Sequence, residues 1–217
     1  MVQKKYIIQF IRNISMTFVI VLGLITFQGA GCGGSKIIKG PGENKKDKST
    51  GVCNIDYDIY PGCNESNEAC AMAIRINTDR KNHPEESDCA PAIKWNAALA
   101  AVATAHSQNM CRHRTLTHKL EGKDPFDRLT DAGINFVAAG ENVTNGTDGV
   151  YALDDLEDGL MEEPECKSNH RGNILNRDFT HVGIGVVHCD DGNLYITQDF
   201  ATFSFDDLRD DPHEYCK

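Results

Sequence analysis

The chain has 217 residues, 40% of them hydrophobic, with 22 Lys and Arg against 32 Asp and Glu for a formal net charge of −10. That is room for one ordinary domain with appendages, and enough apolar content for a core, which argues against wholesale disorder. The charge is uneven: residues 1–31 carry +3, residues 32–51 carry +3 and residues 52–217 carry −16. A body this acidic repels phosphate backbones and argues against a nucleic-acid partner.

Lys4, Lys5 and Arg12 precede an uncharged apolar run at residues 14–27. At about 14 residues the run is short for a bilayer span of about 20 and right for a signal-peptide core. It ends in Gly29-Ala30-Gly31-Cys32, which resembles the bacterial lipoprotein signal and implies that Cys32 becomes the acylated first residue of the mature chain. An ordinary secretory signal cut nearby and an uncleaved anchor are the alternatives. Residues 33–51 are rich in Gly, Lys and Ser with little to bury and read as a flexible tether. Its lysines either lie near anionic head groups or simply stay solvated. The expected organisation is a signal peptide over 1–31, a tether over 32–51 and one domain over 52–217, placed outside the cytoplasm and held at the membrane, or else secreted.

Eight cysteines remain in that domain: Cys53, Cys63, Cys70, Cys89, Cys111, Cys166, Cys189 and Cys216. An even number in an exported domain implies a disulfide framework, and eight cysteines allow 105 pairings that spacing alone cannot choose between. No C-x-x-C occurs, which removes the main support for zinc-ribbon and thioredoxin-type readings.

Residues 69–80 read as a helix with Met72, Ala73 and Ile76 inward, ended by Pro84. A second helix is expected from Pro91 to about Cys111, where Trp95, Leu99, Val102 and His106 recur on one face between Ala-rich flanks. Asp124-Pro125-Phe126 opens a short helix through Leu129 that closes around Gly133, and residues 151–161 form another, stopped by Pro164. Two strands follow at residues 181–188 and 194–203. The first alternates Val182, Ile184 and Val186 with Gly183, Gly185 and Val187, and Asp190-Asp191-Gly192-Asn193 turns the hairpin. Helices first and an antiparallel sheet last give an α+β domain.

Familiar catalytic signatures, H-E-x-x-H, G-x-S-x-G, the P-loop and the dinucleotide fingerprint, are absent. What stands out is a set of His and Glu beside turn chemistry: Thr117-His118, Gly140-Glu141-Asn142, Glu162-Glu163 and Asn169-His170-Arg171-Gly172-Asn173. An ordered series over about residues 74–203 includes these. It runs from Ile76-Asn77-Thr78-Asp79-Arg80 through Trp95-Asn96, Ala105-His106, Met110 and Pro125-Phe126-Asp127-Arg128-Leu129. It ends with Phe179-Thr180-His181-Val182-Gly183-Ile184-Gly185 and Tyr195-Ile196-Thr197-Gln198-Asp199-Phe200. In this series the chain resembles the CAP superfamily (cysteine-rich secretory proteins, antigen 5, pathogenesis-related 1; the SCP domain), in its bacterial secreted branch.

The resemblance implies an α–β–α sandwich around a central antiparallel sheet, and a cleft lined by two His and two acidic residues. Carried over by motif, these are His118, Glu141, His170 and Glu163, with Glu162 the alternative to Glu163. Leu160 stands where the family has an aromatic, and a few residues around Cys166 are inserted before His170. Such a tetrad has three uses. It can settle as a hydrogen-bond network; it can take Zn²⁺ or another divalent cation through His118 and His170; or a Glu–His pair can act as general base. The third needs a nucleophile, and Ser107 and Ser168 are near only in sequence. Asn142 and Asn173 read as loop and cap hydrogen-bonders, and Arg128 and Arg171 as ties from loops to carboxylates. His106, Gln108 and Met110 need no function, and His83, His113, His188 and His213 read as surface or rim side chains. His181, just before a core strand, stays open. The expected role is a binding or interaction module for a small apolar ligand, a peptide or a partner surface, with a protease-like hydrolase as the rival.

Cys32→Ser is expected to abolish acylation and release the domain from the membrane. Fractionation after metabolic labelling with a fatty acid checks it, and unchanged membrane retention refutes the anchor.

Overall fold

The computed structural model describes residues 63, 67–164 and 169–207; the leader, the tether, Cys32, Cys53, Cys166, Cys216, Ser168 and His213 lie outside them. Helix α1, Glu68–Asn82, starts where the Asn67 side chain accepts the Ala69 and Cys70 N–H groups (3.0 and 3.3 Å). It buries Met72, Ala73 and Ile76, as their spacing predicts, and three polar side chains of the same helix, Asn77, Asp79 and Arg80, are buried with them. Asn77 pairs with the Ile93 backbone in both directions, its Oδ1 accepting the Ile93 N–H at 2.7 Å and its Nδ2 donating to the Ile93 carbonyl at 3.2 Å. Fully buried Arg80 donates to the carbonyls of Ile174 (2.8 Å), Pro91 (2.9 Å), Asn176 (2.9 Å) and Phe179 (3.2 Å).

The second helix begins later than expected. Pro91 is not helical; Lys94–Trp95 forms strand β1, and α2 runs Ala97–His113. Asn96 sets this boundary, because its extended backbone and its Oδ1, accepting the Ala98 and Leu99 N–H groups at 2.9 and 3.0 Å, cap the helix. Trp95 therefore belongs to the sheet, while Leu99, Val102 and His106 do share the buried face. Helix α3, Pro125–Asp131, opens with a reciprocal Asp124/Asp127 capping box, and α4 covers Leu153–Met161. A short α5, His170–Leu175, goes beyond the elements the sequence predicts, and a single 3₁₀ turn, Phe205–Asp207, follows the last strand.

The sheet of the described residues has four strands in the order β1-β3-β4-β2, with β2 Ala138–Thr147, β3 His181–His188 and β4 Asn193–Thr202. β1 lies parallel to β3 and the other pairings are antiparallel. Strand β2 corrects the sequence reading, which places Gly140-Glu141-Asn142 beside turns. Its first six residues are all buried, so no apolar–polar alternation marks it. Successive residues face opposite layers. Val182, Ile184, Leu194, Ile196 and Phe200 join Met72, Ile76, Leu156, Leu160 and Ile174 in the core beneath α1, α4 and α5, while Ala139 and Ala201 pack with Leu99, Val102 and Leu129 of α2 and α3. The result is an α–β–α sandwich.

Two described disulfides staple it: Cys63–Cys70 at the start of α1, and Cys111–Cys189, which joins the end of α2 to the β3–β4 turn. Cys89 is disulfide-bonded as well. Helix α2 presses on β3 where Gly183 and Gly185 carry no side chain; a Cβ there would lie 2.0 Å from the Ala100 nitrogen and 2.2 Å from the Thr104 nitrogen, respectively. These atoms are helix backbone and cannot swing aside. Gly183→Ala is expected to cost about 3 kcal/mol or more, read as a drop in denaturation midpoint.

Candidate functional site

The first histidine sits on the loop between α2 and α3. His106, buried on α2, donates its Nε2–H to the Thr117 carbonyl at 2.8 Å, and Arg128 of α3 donates to the His118 carbonyl at 2.9 Å, so the loop is held from both sides. The His118 Nδ1–H then donates to Glu141 Oε1 at 2.8 Å, and Arg128 Nη2 donates to the other Glu141 oxygen. The Glu141 side chain is wholly buried, whereas that of His118 keeps 26% of its surface exposed. Burial, with the Arg128 charge behind it, pushes the His118 pKa down to about 4, so the ring is neutral at pH 7. Burial pushes Glu141 up, partly offset by Arg128.

The second histidine opens α5 from the other layer. Asn169 caps that helix by accepting the Gly172 N–H at 2.7 Å. Glu163, just beyond α4, takes both N–H groups of His170: the backbone N–H reaches Oε2 at 2.7 Å and the ring Nδ1–H reaches Oε1 at 2.8 Å. Of the two candidates at 162 and 163, Glu163 is therefore the one placed on His170. The segment after α4 is also tied by Asn169 Nδ2 to the Pro164 carbonyl (2.8 Å) and by Arg171, which bonds the Met161 carbonyl and both Glu86 oxygens. The two imidazoles face each other with centroids 6.3 Å apart and planes 27° apart.

The histidines come from opposite layers and meet at the edge strand β2, because adjacent residues of a strand point to opposite faces. Glu141 goes to the α2–α3 side and holds His118. Asn142 goes to the other side, where its Nδ2 donates to the His170 carbonyl at 3.1 Å and to Gln198 Oε1 at 2.9 Å. Asn173 Nδ2 donates to Asn142 Oδ1 at 2.8 Å, and Gln198 Nε2 bonds Glu157 Oε2 at 2.5 Å. Asn142 and Asn173 are thus strand and helix residues in a buried amide network, and the α5 cap is Asn169. Glu157 is fully buried; burial, and next Asp79, push its pKa up to about 8, so it is a neutral acid at pH 7.

Sequence reasoning does not single out Glu157, Gln198 or Asp199 as site residues. Gln198 alone carries a weak signal, an amide inside a mostly apolar strand; Glu157 lies among the acids of α4 and, like Asp199, reads as a solvated carboxylate.

The other described histidines are engaged elsewhere: His83 with the Asp79 carbonyl, His113 with Glu121, His188 with Glu68 and Asp148, and His181 with Thr180 and the Phe203 ring. The Ser107 hydroxyl is fully buried and bonded to the Gly185 carbonyl (2.9 Å) and Thr197 Oγ1 (2.8 Å). Among the described residues no group of three or more His, Cys, Asp and Glu is placed to hold a metal ion.

A model of the cysteine-rich secretory protein family, CAP, matches residues 74–200, more than half of the chain. The chain belongs to the CAP family. Two relatives of the CAP domain in Bacillus subtilis (strain 168) are the uncharacterized membrane protein YlbC, 34% identical over 110 residues, and the uncharacterized protein YkwD, 32% identical over 107 residues. Each alignment covers about half of this chain (50% and 49%) but only 28% and 38% of the relative. Among solved structures, an outer surface protein from Borrelia burgdorferi superposes with a TM-score of 0.55 at 17% identity, over 67% of this chain and all of that one, which shows the shared fold. An extracellular protein containing a SCP domain from Bacillus anthracis str. Ames matches with a TM-score of 0.49 at 29% identity, over 62% of this chain and 40% of that one. No helix of the described residues is long and apolar enough to cross a membrane.

Glu157 gives the CAP domain a measurable pH dependence. Between the ordinary value of 4.5 and about 8 the folded state keeps a proton that the unfolded chain has released, so stability falls as pH rises through that window. Glu157→Gln is expected to flatten the decline. Its melting temperature should stay close to wild type at pH 5 and exceed it by about 5 °C or more at pH 8, read by thermal denaturation across the range.

Proposed function

We propose that this CAP domain is an extracytoplasmic binding module, held at the membrane through Cys32, whose cleft at the β2 edge takes a polar segment of a peptide or protein partner. The observation that carries the reading is the way both imidazoles are fixed. Each gives its Nδ1–H to a carboxylate, at 2.8 Å in both cases, and His118 is kept neutral. Such rings are preorganised to hydrogen-bond a guest, since their orientation and tautomer are set before it arrives. The groups that reach the surface are His118, His170 and Glu163, with side chains 26%, 32% and 32% exposed, which favours a hydrogen-bonding guest over an apolar one. Against hydrolysis stands the position of Ser107, whose hydroxyl is spent inside the core.

The test is binding and turnover on the same peptide library with the purified full chain. Peptide capture is expected to weaken about tenfold or more in His118→Ala and in His170→Ala, as for the loss of one or two well-placed hydrogen bonds, with no turnover in wild type. Turnover that disappears in both variants while the fold survives makes the domain a hydrolase instead. Calorimetry with Zn²⁺ on wild type and the double histidine variant separates cation binding from peptide binding at the same rings.

A further inference from the structure

Glu141 has a partner that none of the matched motifs uses for chemistry. The β2–β4 register places Asp199 directly opposite it, and the alternation of the strands turns both side chains to the α2–α3 face. Asp199 is 1% exposed and Glu141 3%. Two like charges facing each other across a ladder repel, and a buried carboxylate without donors is costly. Glu141 has donors, the His118 Nδ1–H and Arg128 Nη2. Asp199 has none: both of its carboxyl oxygens are buried with no hydrogen-bond partner among the described residues, and the group facing it across the ladder is the Glu141 carboxyl.

We propose that Asp199 is a fifth member of the site, a neutral carboxylic acid whose O–H donates to Glu141 and so positions the carboxylate that holds His118. The titratable and charged groups facing the pair are Arg128 of α3, Asp124 at its N-cap, His118 on the preceding loop and His106 on α2. With Asp199 carrying the proton, Arg128 positive, Glu141 negative and the His118 and His106 rings neutral, this buried cluster has no net charge apart from Asp124 at its rim. With Asp199 ionised it would carry an uncompensated negative charge out of reach of water. The proton sits on Asp199 and not on Glu141, because the two N–H donors stabilise charge on Glu141 alone. Burial and the facing Glu141 push Asp199 well above the ordinary carboxylate range, in the same sense. As a positioning residue, Asp199 fixes the direction of the Glu141 lone pairs and with it the His118 tautomer, whatever the cleft binds.

The experiment uses the full chain with ¹³C-labelled Asp side chains. One Asp carboxyl carbon is expected to keep its acid-form resonance at pH 6 and above, and to vanish in Asp199→Asn. If every Asp carboxyl is ionised by pH 6, or if the retained proton belongs to a Glu at position 141, the proposal is wrong. A stability profile gives the second readout. A folded-state pKa raised above the unfolded value means stability that is lost as pH rises, so the melting temperature of Asp199→Asn relative to wild type should climb by about 5 °C or more between pH 5 and pH 9; parallel profiles overturn it. Finally, Asp199→Asn, which still offers an N–H to Glu141, is expected to preserve the ¹⁵N signature of a His118 protonated at Nδ1. Asp199→Leu, which offers none, should lose it. Identical signatures in folded Asn and Leu variants would remove the positioning role.

Discussion

The Arg80 guanidinium ties together segments that no stretch of regular structure joins. It lies in the core and gives its N–H groups to carbonyls before β1, in the last turn of α5 and along the link from α5 to β3. A buried cation is stable only where its donors are all used, and carbonyls in irregular backbone are tolerated inside a protein only where something donates to them. Each side therefore solves the other's problem. Because α5 begins with His170 and the link leads into β3, this one side chain sets where the second imidazole stands relative to the sheet. Asn77, one helical turn earlier, does a smaller version of the same work by pairing with Ile93 as a strand would.

From that frame the site follows with few further choices. Strand alternation sends Glu141 to one layer and Asn142 to the other, so a single dipeptide serves histidines delivered from opposite sides of the sheet. The His118 arm is electrostatically closed, with a buried carboxylate, a guanidinium and a neutral ring. The His170 arm holds its ring through Glu163, a carboxylate that is itself 32% exposed, with amides behind it. The asymmetry lies in the carboxylates, one sealed from solvent and one meeting it.

Much of this is legible in the chain. Helices α1, α3 and α4 and strands β3 and β4 announce themselves through periodicity, caps and a hairpin turn, and the order of motifs identifies the sandwich. The failures have specific causes. Asn96 is a stronger helix start than Pro91, because a side-chain acceptor satisfies N–H groups that Pro91 merely lacks. β2 is covered on both faces and carries Glu141 and Asn142 inside, so neither alternation nor a run of apolar residues reveals it. α5 is too short for a period. Spacing does not choose between Glu162 and Glu163; the choice rests on which carboxylate meets the His170 N–H groups, and that is a matter of three-dimensional placement. Asp199 and Glu157 are invisible because a buried acid looks, in sequence, like any solvated one; only burial and the lack of donors distinguish it.

The place of β2 in the sheet has a consequence for solubility. Among the described residues it is an edge strand, the kind of element that presents free backbone groups to a neighbouring molecule and seeds aggregation. Its first six residues are nonetheless buried, at the stretch where the His118 and His170 segments converge. The cleft is thus also the guard on the sheet's open flank. Sequence change in these loops is constrained twice, once by what the rings hold and once by the need to keep one copy of the sheet from growing onto another.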